Sequence, residues 1–243
     1  MSKKIVCHSG GCDSLACMLG AIEEYDAENI ISLGFDYGQR HFEMENAAAR
    51  RFCKKHNITR FIMHVPLDQI GGCALTDRNI SVTTDMNNQR STVVPQRNAI
   101  LLLFAAAYAE VNDCDTIIHG AVKEDEAAYR DCRYAFFNYL TMTIQAGRKQ
   151  PIKGSEDILN DISVHGDLLP SRIDIIIRTP LIDEKKEETL KRIVDKYGIE
   201  VYNDTYTCYN GAELSCGKCP SCIERLESFK ANNLVDPIPY ENK

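Results

Sequence analysis

The sequence predicts an α/β fold, a mostly parallel sheet with helices on both faces. Three observations predict it. Short β-rich runs alternate with helical patterns along the 243 residues, the signature of strand–helix–strand units. The strand-like runs are apolar throughout, as strands buried on both faces are. The first run ends in a Gly-rich turn that passes at once into a helical pattern, which is where an open α/β sheet binds ligand.

The elements follow in order. Lys4 to His8 reads as a strand, then a turn, then a helix from about Ser14 to Tyr25. Ile30 to Phe35 is a second strand, Glu43 to His56 a helix, and Arg60 to Val65 a third strand. Gln96 to Glu110 is a nearly all-apolar helix, expected to be buried on most sides. Thr116 to Gly120 is a strand, Asp131 to Ala146 a helix, and Ile173 to Arg178 an apolar β-branched strand. Glu184 to Tyr197 is a charged amphipathic helix stopped by Gly198. Two polar segments interrupt the pattern, Asp68 to Thr92 and Arg148 to Ser171. Insertions of that length in a compact domain are functional loops, lids or plain surface. The expected organisation is one domain over residues 1–200, with 148–171 as a lid or insertion, and a cysteine-bearing segment over 201–243 packed on it.

Composition excludes several classes. With 44% hydrophobic and 26% charged residues, the chain is an ordinary globular one, neither disordered nor coiled coil. The longest apolar stretch, Ala99 to Ala109, is too short to span a membrane. Met1 to Val6 runs straight into a strand with no apolar leader, so a cytoplasmic protein is expected. A net charge of −7 argues against non-specific nucleic-acid binding but leaves room for a local basic pocket.

The first turn, Ser9-Gly10-Gly11-Cys12-Asp13-Ser14, is built for an anion. Glycines let the backbone approach closely, and the N–H groups of Gly10, Gly11 and Asp13 with the helix dipole can cradle a pyrophosphate. The hydroxyls of Ser9 and Ser14 add donors, and Asp13 makes sense as a Mg²⁺ holder. The turn lacks the lysine of a Walker A loop, and no G-x-G-x-x-G fingerprint occurs anywhere. The plain alternative is a Gly-rich turn with a serine helix cap. The S-G-G-x-D-S pattern resembles the PP-loop of ATP pyrophosphatases, which split ATP between its α and β phosphates and adenylate an oxygen.

Of 11 cysteines, seven are scattered singly and read as small buried hydrophobes. Four crowd together: Cys208, Cys216, Cys219 and Cys222. Four thiolates at this spacing suit a closed tetrahedral zinc. An iron–sulfur cluster also accepts four thiolates, and Cys219 with Cys222 could form a redox dithiol.

Three further stretches each place polar groups where strands end or helices begin: Phe35-Asp36-Tyr37-Gly38-Gln39-Arg40-His41, Val94-Pro95-Gln96-Arg97-Asn98 and Asp131-Cys132-Arg133. Singly, each reads equally well as local pairing near a helix end. Together with the S-G-G-x-D-S turn and the four cysteines, they resemble the QueC family of 7-cyano-7-deazaguanine synthases, from Ile5 to about Phe229. That resemblance implies a Rossmann-like, adenine nucleotide alpha hydrolase-like sheet with a zinc-binding C-terminal segment, and a homodimer. It implies ATP, Mg²⁺ and Zn²⁺, and the conversion of 7-carboxy-7-deazaguanine with ammonia to an amide and then, by dehydration, to the nitrile. It implies a product that feeds queuosine biosynthesis, archaeosine or deazapurine DNA modifications.

Residue by residue, the resemblance gives ATP to Ser9, Gly10, Gly11, Asp13, Ser14, Phe35 and Tyr37. It gives the deazaguanine to Gln39, Arg40, His41, Asn98, Tyr129, Asp131 and Arg133. Asp13, Arg97 and Lys186 would carry the chemistry, Lys186 lying in a Pro180-Leu181 to Lys186-Glu187 stretch similar to the family's. The positive groups Arg40, Arg97, Arg133 and Lys186 are expected in one cleft. There are departures. The family's S-G-Y-P-D-C-R is Ala127-Ala128-Tyr129-Arg130-Asp131-Cys132-Arg133 here, V-P-G-R-N has Gln96 for its glycine, and His8 replaces an apolar residue. They motivate two alternatives: a ligase of antiviral defence operons that joins the deazaguanine to a protein amine, and a catalytically silent nucleotide sensor.

Overall fold

The computed structural model describes residues 2–83, 89–147 and 175–241. Its centre is a five-stranded parallel sheet: β1 (Lys3–Cys7), β2 (Ile30–Asp36), β3 (Thr59–His64), β4 (Cys114–Ile118) and β5 (Ile176–Arg178). The order is β3-β2-β1-β4-β5. Chain direction of growth reverses beside β1, so a crevice opens between the C-terminal ends of β1 and β4.

Register shows why the central strands β1, β2 and β4 carry no polar face. Ile5 pairs with Ile31 on one side and Ile117 on the other. Successive residues point to opposite faces, and both faces are covered. Val6 and Ile118 pack with Leu15, Met18, Phe52, Leu190, Ile193, Tyr202 and Phe229. Ile5, Leu33 and Ile117 pack with Leu102, Ala105, Phe137, Leu140 and Ile144. The first layer holds α1 (Cys12–Glu24), α2 (Phe42–His56) and α6 (Lys186–Tyr197); the second holds α3 (Arg97–Val111) and α5 (Tyr134–Ala146). A one-turn helix, α4 (Asp125–Ala128), follows β4, and α7 (Pro220–Ala231) closes the first layer.

Several expectations are corrected. Helix α3 is not buried on most sides: Leu103, Phe104 and Val111 are exposed. An all-apolar sequence carries no record of which side meets the sheet. The stretch Asp131-Cys132-Arg133 does not open a long helix. Arg130–Cys132 is a single 3-10 turn, and α5 starts only at Tyr134. Strand β4 lies two residues earlier than expected, because His119 and Gly120 leave the sheet to pass the phosphate loop, where Gly120 comes within 3.3 Å of the Asp13 backbone, measured from an ideal Cβ. The segment after β3 is not a bare loop. Cys73, Ala74 and Leu75 are buried, and Cys73 and Leu75 pack in one cluster with Leu67 and Val94. The expected lid at 148–171 lies outside the described residues.

Helix α7 is not anticipated by the sequence pattern, which shows only a cysteine-bearing segment there. Cys219 precedes it and Pro220 occupies its first turn, where a missing N–H is no loss. Phe229 of α7 and Tyr202 meet edge-to-face at 5.4 Å and sit in the same core as the sheet, so the described part of the C-terminal segment shares the main core.

Candidate active site

The crevice between β1 and β4 is a cavity of about 260 Å³. Its floor is the phosphate loop. Gly10 has φ +111, and a Cβ there would stand 2.3 Å from the Glu45 carbonyl oxygen. Only glycine makes that bend against the backbone of α2. The loop is braced from within. Gly10 N–H donates to Ser14 Oγ (3.2 Å), Gly11 N–H to Ser9 Oγ (3.2 Å), and Ser14 Oγ to Gly11 O (2.9 Å). Gly11, Cys12, Asp13 and Ser14 line the cavity where α1 begins, so the positive end of that helix faces it.

Asp13 and Lys186 face each other across the floor. Burial lifts the Asp13 carboxyl to about 6, Lys186 opposing the rise and Asp125 and Glu224 adding to it. Lys186 opens α6. Its ammonium reaches Glu224 Oε2 at 2.5 Å and Asp125 Oδ1 at 3.4 Å. Burial opposes its charge, but Asp125, Asp13 and Glu224 outweigh that and hold it well above the usual lysine value. The ammonium is therefore a fixed cation in a pocket able to take phosphate oxygens.

Arg97 forms the opposite wall. Its charge is secured by Tyr37, Tyr209, Cys132 and Asp131 against burial, and its Nε donates to Asn98 Oδ1 at 3.2 Å. The histidines around the cavity are neutral. Burial, reinforced by Arg97, lowers His41 and His119 to about 4. Burial with Arg60 lowers His8 to about 3, its Nδ1 lying 3.0 Å from Ser32 Oγ.

The residues singled out from the sequence divide into three groups. Ser9, Gly11, Asp13, Ser14, Phe35, Tyr37, Gln39, His41, Arg97, Asn98, Tyr129 and Lys186 line the cavity. Among these, Gln39 and Asn98 are engaged with the protein itself. The Gln39 amide accepts from Tyr37 N–H (2.8 Å) and donates to Phe35 O (2.9 Å). The Asn98 amide donates to Asp131 O and to Cys132 Sγ, both at 3.3 Å. Gly10 shapes the loop from behind. Arg40, Asp131 and Arg133 do not line the cavity, which corrects the expected clustering of Arg40 and Arg133 with Arg97 and Lys186. Arg40 turns back to donate to Asp77 O (2.8 Å) and Ile80 O (2.9 Å). Arg133 lies on the exposed side over Glu126 O. The Asp131 carboxylate accepts from Asn98 N–H (3.3 Å) at the start of α3.

Sequence reasoning missed Glu45, Arg60, His119, Asp125, Thr207, Tyr209, Ser221 and Glu224, which also line the cavity. One signal was available: Glu45 stands four residues after His41, one helical turn away. The last four come from the C-terminal segment or its neighbour the cysteine loop.

Cys208, Cys216, Cys219 and Cys222 are buried, with their sulfurs all within 4.8 Å of one another, and form a group able to hold a metal ion. Backbone N–H groups already point at them: Cys216 N–H at Cys208 Sγ (3.4 Å), and Lys218 and Cys219 N–H at Cys216 Sγ (3.4 and 3.3 Å). Such donors favour thiolates. The cluster adjoins the cavity, because Thr207 and Tyr209 flank Cys208, and Ser221 and Glu224 flank Cys222.

A parallel sheet in this strand order, with an S-G-G-x-D-S loop at its switch point and a lysine facing it, defines an enzyme of the PP-loop class. Within that class the family is settled by comparison. The model described as "Queuosine biosynthesis protein QueC" matches residues 3–233, and the chain belongs to the QueC family. It is 34% identical over 246 residues to the 7-cyano-7-deazaguanine synthase of Hahella chejuensis, covering 99% of this chain and 94% of that one. It is 36% identical over 248 residues to that of Psychromonas ingrahamii, end to end in both. Among solved structures, the U34-tRNA thiolase NcsA of Methanococcus maripaludis with its [4Fe-4S] cluster is similar at 15% identity and a TM-score of 0.47, covering 95% of this chain and 67% of that one. That likeness is too loose to bear on the metal here.

Proposed function

We propose that this chain converts 7-carboxy-7-deazaguanine, ATP and ammonia to 7-cyano-7-deazaguanine. The observation that carries the proposal is the acid-clamped Lys186 facing Asp13 and the phosphate loop in the same cavity as Arg97. A carboxylate is a poor electrophile until its oxygen becomes a leaving group. Attack of the substrate carboxylate on the α-phosphorus of ATP would form the acyl adenylate and release pyrophosphate. Lys186 and the N–H groups of the loop would stabilise the charge that develops on the departing pyrophosphate. Ammonia would then displace AMP to give the amide. A second ATP would adenylate the amide oxygen, and loss of AMP with the remaining nitrogen protons would leave the nitrile. Arg97 would hold the carboxylate and the anionic adenylate. Tyr37, His41 and Tyr129 would border the two ligands.

Asp13 would hold Mg²⁺, and a divalent ion would offset the burial that lifts its carboxyl. The four cysteines would hold one Zn²⁺. Ligands of a single tetrahedral zinc at about 2.3 Å stand roughly 3.8 Å apart, in keeping with sulfurs all within 4.8 Å. Thiolates on separate irons of a cluster stand further apart. When bound, zinc supplies folding energy and no chemistry. A homodimer belongs to the same proposal. No helix among the described residues is long and apolar enough to cross a membrane.

The conjugating ligase and the silent sensor are not favoured, since relatives named as synthases match the chain along its whole length. The test is pyrophosphate exchange into ATP dependent on 7-carboxy-7-deazaguanine, with mass spectrometry of the product. Nitrile formed from ammonia alone is the expected result. An amide that accumulates without nitrile, or no exchange at all, rejects the proposal.

A further inference from the structure

Four carboxyl side chains line the cavity among the described residues: Asp13, Glu45, Asp125 and Glu224. Asp125 and Glu224 hold the Lys186 ammonium, and Asp13 stands in the phosphate loop. Glu45 differs. It lies in the first turn of α2, largely buried, with no lysine or arginine of the described residues within ion-pair distance. Its one such neighbour among the described residues is Nε2 of His41 at 3.7 Å, and that ring is neutral because burial lowers it to about 4.

The charged and titratable groups around Glu45 are Tyr37 and His41 from the loop after β2, Arg60 from β3 and Arg97 from α3. Gln39 also reaches it. From the C-terminal segment, Tyr209 packs on His41 with ring centres 5.6 Å apart. Burial lifts the carboxyl to about 8 despite Arg97, Gln39 and Arg60. A carboxyl so placed exchanges its proton in the range where an enzyme works, which is the property a general base needs.

The nitrogen donor poses a problem that such a group solves. Near neutral pH ammonia is almost wholly ammonium, which has no lone pair to attack with. We propose that Glu45 takes the proton from the incoming ammonium and so acts as a catalytic residue of the amide-forming step; this rests on the adenylation reading above. Ammonium gives one proton to the Glu45 carboxylate and becomes ammonia. The freed lone pair forms the C–N bond to the acyl carbon. The bond from that carbon to the AMP oxygen breaks, and AMP leaves with the electron pair. The excess proton on the new C–N nitrogen goes to water, and Glu45 releases its own before the next cycle.

The experiment uses the full chain with its metal and the Glu45→Gln variant, which keeps the shape of the side chain. Three rates are compared: substrate-dependent pyrophosphate exchange, amide formation with ammonium, and hydroxamate formation with hydroxylamine. Hydroxylamine is largely unprotonated near neutral pH and needs no proton acceptor before it attacks. The variant is expected to keep exchange and hydroxamate formation within about threefold of the parent and to lose about 100-fold in the ammonium reaction. The inference is overturned if the ammonium rate is unchanged, if hydroxylamine loses as much as ammonium, or if exchange collapses as well. Absence of exchange in the parent protein instead removes the adenylation reading itself. Should the variant not fold, the parent serves: its ammonium rate per unit of total ammonium, divided by its hydroxylamine rate, is followed from about pH 6.5 to about pH 9.5. A rise that follows only the free ammonia fraction, with no further inflection near 8, overturns the inference too.

Discussion

Lys186 is held between two carboxylates and faces a third. Its replacement should do two things at once. Lys186→Met removes the cation meant for the departing pyrophosphate, so exchange should fall by at least about 100-fold. It also leaves Asp125, Glu224 and Asp13 facing one another, and should lower stability by about 2 kcal/mol in urea unfolding. A variant that loses exchange while keeping the parental urea midpoint would show that the clamp is not structural. Gln96 offers a prediction of opposite sign. It has φ +56 at the start of α3, the left-handed region that is costly for any side chain. Gln96→Gly should raise stability by about 0.5–1 kcal/mol, read as an upward shift of the urea midpoint with unchanged slope. Residue roles were the least legible part of the sequence. Arg40 and Arg97 both stand in polar motifs, yet Arg97 enters the cavity and Arg40 turns to the carbonyls of Asp77 and Ile80. Spacing gives a residue's place along the chain but not its direction off a loop. Glu45 was not singled out, because its burial and its neighbours Arg60 and Arg97 come from elements distant in the chain.

At the scale of elements, the strands were legible and helix α7 was not. Runs such as Ile30–Phe35 have one explanation, burial on both faces. Pro220–Ala231 shows no such run, and its opening residues are taken up by the cysteine cluster, with Cys219 just before it and Cys222 inside it. Yet α7 does much of the positioning. It carries Glu224 to Lys186, and its Arg225 makes a fully buried two-pronged ion pair with Asp236, at 2.7 and 2.9 Å. Arg225 Nη1 also donates to Thr205 Oγ1 (2.7 Å) and Cys12 Sγ (3.1 Å), which fastens the segment to the phosphate loop. Arg225→Met leaves the Asp236 carboxylate buried without its cation, with the Tyr240 O–H and Ile238 N–H still donating to it, and should cost about 3–5 kcal/mol. Restoring the balance with Asp236→Asn in the same chain should recover part of that loss in thermal unfolding. If the single and double variants unfold alike, the pair is not what holds α7.

For the whole molecule, stability should peak in the near-neutral range. Three histidines, His8, His41 and His119, are held neutral with folded values of about 3, 4 and 4. Below their unfolded value of about 6.5 the unfolded chain takes up protons that the folded one refuses, so stability falls on acidification. Glu45 and Asp13 have raised values of about 8 and about 6. The folded chain holds their protons where the unfolded one does not, so stability falls as pH rises through 6 and 8. Unfolding midpoints of the metal-loaded protein should therefore be highest between about pH 6 and about pH 7. A midpoint that climbs steadily to pH 9 would contradict the burial of Glu45. Metal removal is a second global test. Chelation should release one metal ion per chain and weaken ATP binding in parallel, because Thr207, Tyr209, Ser221 and Glu224 form part of the cavity wall. ATP affinity unchanged after release of the metal would separate the two sites.

One backbone contact bears on how the protein is made. Tyr206 N–H donates to Gly10 O at 2.9 Å, so the turn that opens the chain is completed by a strip of backbone nearly two hundred residues later. A ribosome delivers the two in that order. While the later strip is still unmade, the glycine turn faces water with its wall absent. Nucleotide binding should therefore switch on abruptly, near the end of synthesis, rather than grow as the sheet assembles.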